Sequence, residues 1–353
     1  MTSLTLNKPS HITGTLILPP NLLKLSIRSA SSNVFPKVEF PPKLVDLELE
    51  QCGITSTTGW LNPARLKRLS LSRNKLSSFN AFLPCCEFLC LSDNKIKRVQ
   101  IRAPVLEHID LSENMLKSIP KLPASLQVLV LSNNRLHLSR MSEFPSNLKL
   151  LDLSGAGYGA PKKHTFPSSI RELHLTKLDL SDMRGVKFAK GSKLKELNMS
   201  ICRIKKISDR MIELPLGLKS LNLCLNRLQN IDDLTIPQTV TFLDLRENDL
   251  NLLQVKSHIE TLYLNQNRLS RLAIPKDSEL KFLDLTSTLL KGSSFDIFGA
   301  EKLTQLRLGQ WHKVIDLSKM PVNLQVLEYQ GPGTLEVEGF HRYPGTSIYR
   351  RSL

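Results

Sequence analysis

The chain has 353 residues, with 48 Lys+Arg against 32 Asp+Glu for a formal charge of +16, and an apolar fraction of 41% to which aromatics contribute little, at 6% of residues. Such a core has to be mainly aliphatic, and a chain of this length is long for one globular core unless it is an extended array whose modules pack only on their neighbours. The sequence has no apolar run long enough for a membrane span, and its first twenty residues lack the basic start and compact apolar block of a signal peptide.

Taken in chain order, one frame recurs. An apolar residue is followed by apolar residues three and five positions later, an asparagine-type residue at eight and another apolar residue at ten; Leu126, Leu129, Leu131, Asn134 and Leu136 show it whole. Frames start at Met1, Leu22, Leu44, Leu66, Cys86, Leu106, Leu126, Leu148, Ile170, Leu194, Leu218, Val240, Ile259, Leu280, Leu303 and Leu324, which is sixteen coils at steps of 19 to 24 residues. Within each coil the alternation predicts a short strand with two side chains inward, and the asparagine amide is expected to close it by bonding the backbone of its own coil and the next. Cys52 and Cys202 replace the asparagine in two coils, and Ala30, Ala156, Leu178, Thr288 and Trp311 in others. Proline stands three residues ahead of nine frames, at Pro19, Pro41, Pro63, Pro123, Pro145, Pro167, Pro215, Pro237 and Pro321, so the returning segments are expected to be extended or turned rather than helical. Helical turns are expected within residues 182–192 and 207–213.

This periodicity resembles the leucine-rich repeat superfamily, and the LPxxLxxLxLSxNxL form at Leu122 to Leu136 is similar to the short repeats of bacterial effectors. The 22-residue coils are similar to those of intracellular phosphatase regulators and of F-box ligase arms. The resemblance implies an α/β, mostly β, solenoid: a horseshoe of about 16 coils with a parallel concave sheet and a mainly irregular or short-helical convex side. The solenoid is expected over residues 1–330, with residues 331–353 as a C-terminal tail or cap carrying Phe340, Tyr343 and Tyr349. Met1 already stands in register, so either the leading coil is ragged or a domain precedes it.

The six cysteines do not form the flanking pairs that cap many secreted repeat proteins, which points to a reducing, intracellular setting, cytoplasmic or nuclear. Cys85, Cys86 and Cys90 fall on the returning turn, inside and on the concave face, so they are not expected to share a metal. His108 and His174 lie three coils apart, too far to share a metal or proton. No cofactor, metal or catalytic residue is expected.

Outward positions lie two, four and six residues after each frame start. These columns hold five basic and ten acidic residues, a net of −5, which leaves +21 elsewhere. Nucleic-acid binding through the concave groove is therefore disfavoured. The sharpest candidate is the neighbourhood of Phe242, Tyr263 and Phe282 with Asp244, Asp284 and Arg246: aromatics among carboxylates would suit a partner offering Arg or Lys around an apolar anchor. The same rings would equally serve to pack on each other, and the aspartates to pair with a neighbouring strand. Secondary candidates are Phe88, His108, Asp110 and Asp152. A basic edge at Lys95, Lys97, Arg98, Arg203, Lys205 and Lys206 is either a solvated face or a contact for acidic protein, RNA or anionic membrane. The functional expectation is a non-enzymatic protein-interaction scaffold or regulator of unknown partner; the alternative is a recognition arm of a larger ligase or effector enzyme.

Overall fold

The computed structural model describes residues 1–8, 17–30, 39–60, 63–140, 143–158, 164–290, 295–297, 300–310, 315–316, 320–330, 337–338 and 347–351. It divides into two units, Met1–His174 and Leu175–Leu353. In the first, nine short strands form a parallel ladder, among them Lys24–Arg28, Phe88–Cys90, His108–Asp110 and Val128–Val130. In the second, eight do so, including Phe242–Asp244, Thr261–Tyr263, Phe282–Leu285, Gln305–Gln310 and Val326–Gln330. Each unit is a β-solenoid of the leucine-rich repeat kind.

The pairing follows the frame. Leu25 lies beside Leu47, Ile109 beside Leu129 and Leu243 beside Leu262, so equivalent core positions stack coil on coil. These residues are fully or almost fully buried and make an aliphatic spine. The prolines act as turn starters: in all nine coils with proline three residues ahead, its carbonyl accepts from the N–H of the frame start, at 3.0 to 3.3 Å. Where the frame reaches Gly309 the register shifts between Leu308 and Gln310, and a Cβ there would lie 2.6 Å from the Ser287 nitrogen. Only glycine permits that approach. Ser347–Arg351 pairs with Val326–Gln330 in the same parallel register, as one more rung; Phe340 and Tyr343 lie outside the described residues, as does Trp311.

The asparagine ladder runs in the opposite direction from that expected. Asn114 Nδ2 donates to Leu111 O and Ser112 O in its own coil and to Leu91 O in the preceding one, while its Oδ1 accepts from Ile96 N, also in the preceding coil. Asn74, Asn94, Asn134, Asn226, Asn248 and Asn267 repeat this pattern, each reaching back rather than forward. The reason is geometric: the residue before each of these positions, such as Arg73, Asp93, Glu113, Leu225 or Glu247, has φ of 51 to 56°, and this left-handed step turns the following side chain back under its own strand. Even the β-branched Ile201 takes φ of 58°, where such residues are outliers. Cys52 and Cys202 keep half of the role. Their thiols donate to one carbonyl of the same coil and one of the preceding coil, and burial pushes them up to about 11 and about 12.

The returning side is less helical than expected. Among the described residues its regular structure is short parallel strands, such as Ser78–Phe82 with Arg98–Arg102 and Leu252–Gln254 with Arg271–Ala273, plus two single 3-10 turns. One turn, Met183–Gly185 capped by Asp182, falls in the first segment expected to be helical; residues 207–213 form turns without a helix. Equal offsets from the frame start explain these strands, since Phe79 and Val99 both stand thirteen residues into their coils, and Leu252 and Arg271 both stand twelve.

Candidate functional site

In the second unit, ladder register lines up Phe242, Thr261 and Phe282 on successive strands in one column, and Asp244, Tyr263, Asp284, Arg307 and Glu328 in the next. The three rings form one strip. Phe242 and Tyr263 have centroids 5.8 Å apart, and Tyr263 and Phe282 4.9 Å, both tilted, and all three side chains are half-buried. Arg246 lies over Tyr263 at 5.3 Å and Arg307 over Phe282 at 5.1 Å, so the central ring and one end ring each carry a guanidinium.

The carboxylates are not where the outward pattern put them. Asp244 and Asp284 are buried. Asp244 Oδ1 accepts from Arg246 N at 3.2 Å and its Oδ2 lies 2.9 Å from Arg246 Nη2; burial raises its pKa, and the Arg246 N–H and guanidinium oppose the rise. Asp284 Oδ1 accepts from the N and Oγ1 of Thr286, and its Oδ2 faces Arg307 at 3.7 Å. Arg307 also meets Glu328 at 3.0 Å. The aspartates thus cap their own strand ends two residues on, in the manner of an Asx turn, and Asp284 also pairs with Arg307 of the neighbouring strand, as expected. Asp110 with Ser112 and Asp152 with Ser154 do the same. Charge still open to solvent therefore sits on the arginines, whose side chains are 43% exposed at Arg246 and 29% at Arg307. Arg307 and Glu328 complete the strip but were not singled out in the sequence, where their coils lack an asparagine to align on.

The secondary candidates form a smaller stack in the first unit. Arg68 lies 3.7 Å over Phe88, which stacks on His108 at 4.4 Å and 20°. Burial lowers the pKa of His108, with Arg68 adding to the effect and Asp110 opposing it. Lys95, Lys97 and Arg98 are exposed in the first unit, and Arg203, Lys205 and Lys206 in the second, with Arg203 facing Asp179 at 3.6 Å. Cys85 is exposed, Cys86 buried and Cys90 half-buried; all six cysteines are free thiols. Among the described residues no three His, Cys, Asp or Glu side chains converge as metal ligands, and no helix is long and apolar enough to cross a membrane.

The chain matches no family model and no curated protein. Among solved structures it is similar to YopM from Yersinia enterocolitica WA-314, at 22% identity and a TM-score of 0.65 over 95% of this chain and 73% of that one. A leucine-rich repeat protein of Leptospira interrogans matches at 20% identity and a TM-score of 0.55, covering 93% and 90% of the two chains. CroV588, a circular leucine-rich repeat protein, matches at 14% identity with a TM-score of 0.70, over 99% of this chain and 53% of that one.

Proposed function

We propose, for a chain with the leucine-rich repeat fold, that the strip of Phe242, Tyr263 and Phe282 with Arg246 and Arg307 is the docking surface of a non-enzymatic protein-binding module. The observation that carries this reading is the pre-set strip itself. Three rings, held against one another and against two guanidiniums, stay half-exposed on the open face of the ladder although the inward positions are already filled by leucines. Clustered aromatic and arginine side chains of this sort, ordered before contact, lose little entropy on binding and dominate interface energetics.

The partner's chemistry is the reverse of the sequence expectation. Asp244 and Asp284 are engaged by strand-end N–H groups and by arginine, so they have little left to offer a Lys or Arg. The surface fits an apolar anchor flanked by a carboxylate that reaches Arg246, the more exposed of the two guanidiniums, while Arg307 is held between Asp284 and Glu328. A catalytic role does not suit these groups, because the carboxylates are held as strand caps and ion partners.

The test is affinity capture from cell extract with the full chain as bait, comparing wild type with Tyr263→Ala/Phe282→Ala and with Arg246→Glu/Arg307→Glu. Specific partners should fall by tenfold or more with either variant, and the ring variant should lose only about 1 to 3 kcal/mol of stability from two lost aromatic pairs. Undiminished recovery with both variants would show that the rings serve the sheet alone.

A further inference from the structure

Some exposed lysines are paired with a glutamate of the neighbouring coil. Lys67 meets Glu87 at 2.9 Å in the first unit; Lys281 meets Glu260 at 2.7 Å and Lys302 meets Glu279 at 2.6 Å in the second. One strip of the first unit has no such pair and no acidic residue at all. Between the asparagine position and the end of the returning strand, residues 75–83, 95–103, 115–123 and 135–138 contain eight Lys and Arg and no Asp or Glu. All eight are exposed, and among the described residues none of their charged groups has a carboxylate within 4.0 Å. The Cys86 coil contributes Lys95, Lys97, Arg98 and Arg102, with the remainder on the coils around it.

Backbone contact makes the crowding concrete. Lys95 N donates to Leu76 O at 2.9 Å and Lys97 N to Ser77 O at 3.0 Å, so consecutive coils touch on this side too. Lys75 and Lys95 occupy one frame position in adjacent coils, as do Lys97 and Lys117, which places like charges roughly 5 Å apart at the backbone with nothing between them to neutralise them. The strip is bordered by two exposed aromatics: Phe82, 61% exposed and in register with Arg102, and Tyr158, 71% exposed and in register with His137. Lone exposed rings beside unpaired cations are what an anionic headgroup layer accepts, the rings sitting at its boundary and the cations on its phosphates.

The layout separates a lipid surface from a nucleic acid. The cations cover a patch four coils wide rather than one line along a groove, and Phe82 and Tyr158 are four coils apart, about 20 Å, too far for successive bases to stack on both. We propose that this strip docks the first unit on an anionic lipid surface, independently of the aromatic strip of the second unit.

The experiment is co-sedimentation of the purified full chain, at about 0.1 M salt, with vesicles of phosphatidylcholine alone or with about 30% phosphatidylserine. Wild type should sediment only with the serine-containing vesicles. Lys95→Glu/Lys97→Glu/Arg98→Glu should weaken that binding about a hundredfold, at roughly fivefold per basic residue. Arg203→Glu/Lys205→Glu/Lys206→Glu removes the same net charge from the second unit and should change it by less than about fivefold. Three results would overturn the proposal: no serine-dependent sedimentation, equal loss from both triple variants, or displacement of the chain from vesicles by a 20-nucleotide RNA at concentrations equal to the protein. Because these residues are exposed, a thermal melt within error of wild type should accompany each variant.

Discussion

The Leu126 coil and the Ile259 coil share one backbone and almost nothing else. Both bury leucines at the same frame positions, both bury an asparagine, Asn134 or Asn267, whose Nδ2 reaches a carbonyl of the preceding coil, and both take a left-handed residue just ahead of it. On the open face the first presents Val128, Val130 and Ser132; the second presents Thr261, Tyr263 and Asn265, with Tyr263 between Phe242 and Phe282. The frame is interchangeable and the open face is not. A repeat fold can vary its surface freely because its stability is lodged in inward positions and backbone bonds that the outward side chains do not touch.

The largest effect should come from cutting the shared part beneath the aromatic strip. Leu245 is fully buried in the Val240 coil, and Leu245→Ala should cost about 2 to 5 kcal/mol by leaving a cavity. Denaturant unfolding measures it. A cost near zero would mean that Leu245 is not inward and that the register of the whole strip is wrong.

A smaller effect should distinguish the two kinds of coil closure. Asn114→Ala leaves the Ile96 N–H without a partner and takes one of two amide donors from each of the Leu91 and Leu111 carbonyls, which keep Asn94 and Asn134; it should cost about 3 kcal/mol, since a buried unpaired group costs about 1 to 3 and a lost hydrogen bond about 1. Asn114→Cys turns this regular coil into the type seen at Cys52 and Cys202, where the thiol still donates to carbonyls of two coils. It should cost roughly half as much, because only the acceptor role is lost. Equal costs for Ala and Cys would show that the cysteine coils are held by something other than their thiols.

The same comparison shows what could be read in the residues. Leucine spacing and the prolines fixed the strands and their register, because burial and turn geometry act on residue types that are visible one at a time. The left-handed step was invisible, since Arg73, Glu113, Ile201 and Leu225 have nothing chemical in common; the coil imposes the conformation on whatever residue stands there. Asp244 and Asp284 read as outward because alternation places them so, yet each folds back onto the N–H two residues on and is buried beside Arg246 or Arg307, whereas Asp110 and Asp152 fold back the same way and stay half-buried. Ring packing across coils depends on Phe242 and Tyr263 standing in different columns of adjacent strands. Residue spacing set those columns; only three-dimensional placement showed that the rings meet.

The returning sides should differ least in size of effect and most in pH. In the first unit His164 packs edge-on against Phe144 and Phe166, each at 5.1 Å, and burial lowers its pKa, with Glu143 opposing. A histidine whose folded pKa lies below its ordinary value near 6.5 is favoured in its neutral form. Its stabilising contribution is therefore complete above that value and is lost as pH falls toward the folded pKa. His108 and, in the second unit, His258 are shifted the same way by burial, so wild type should melt at lower temperature at pH 5 than at pH 7.5. His164→Leu keeps an apolar group against the two rings and removes one proton site, so its drop between the two pH values should be smaller than that of wild type. An unchanged drop would place the acid sensitivity at His108 and His258, and with it would remove the phenylalanine-lined pocket of His164 from any account of how the first unit responds to pH.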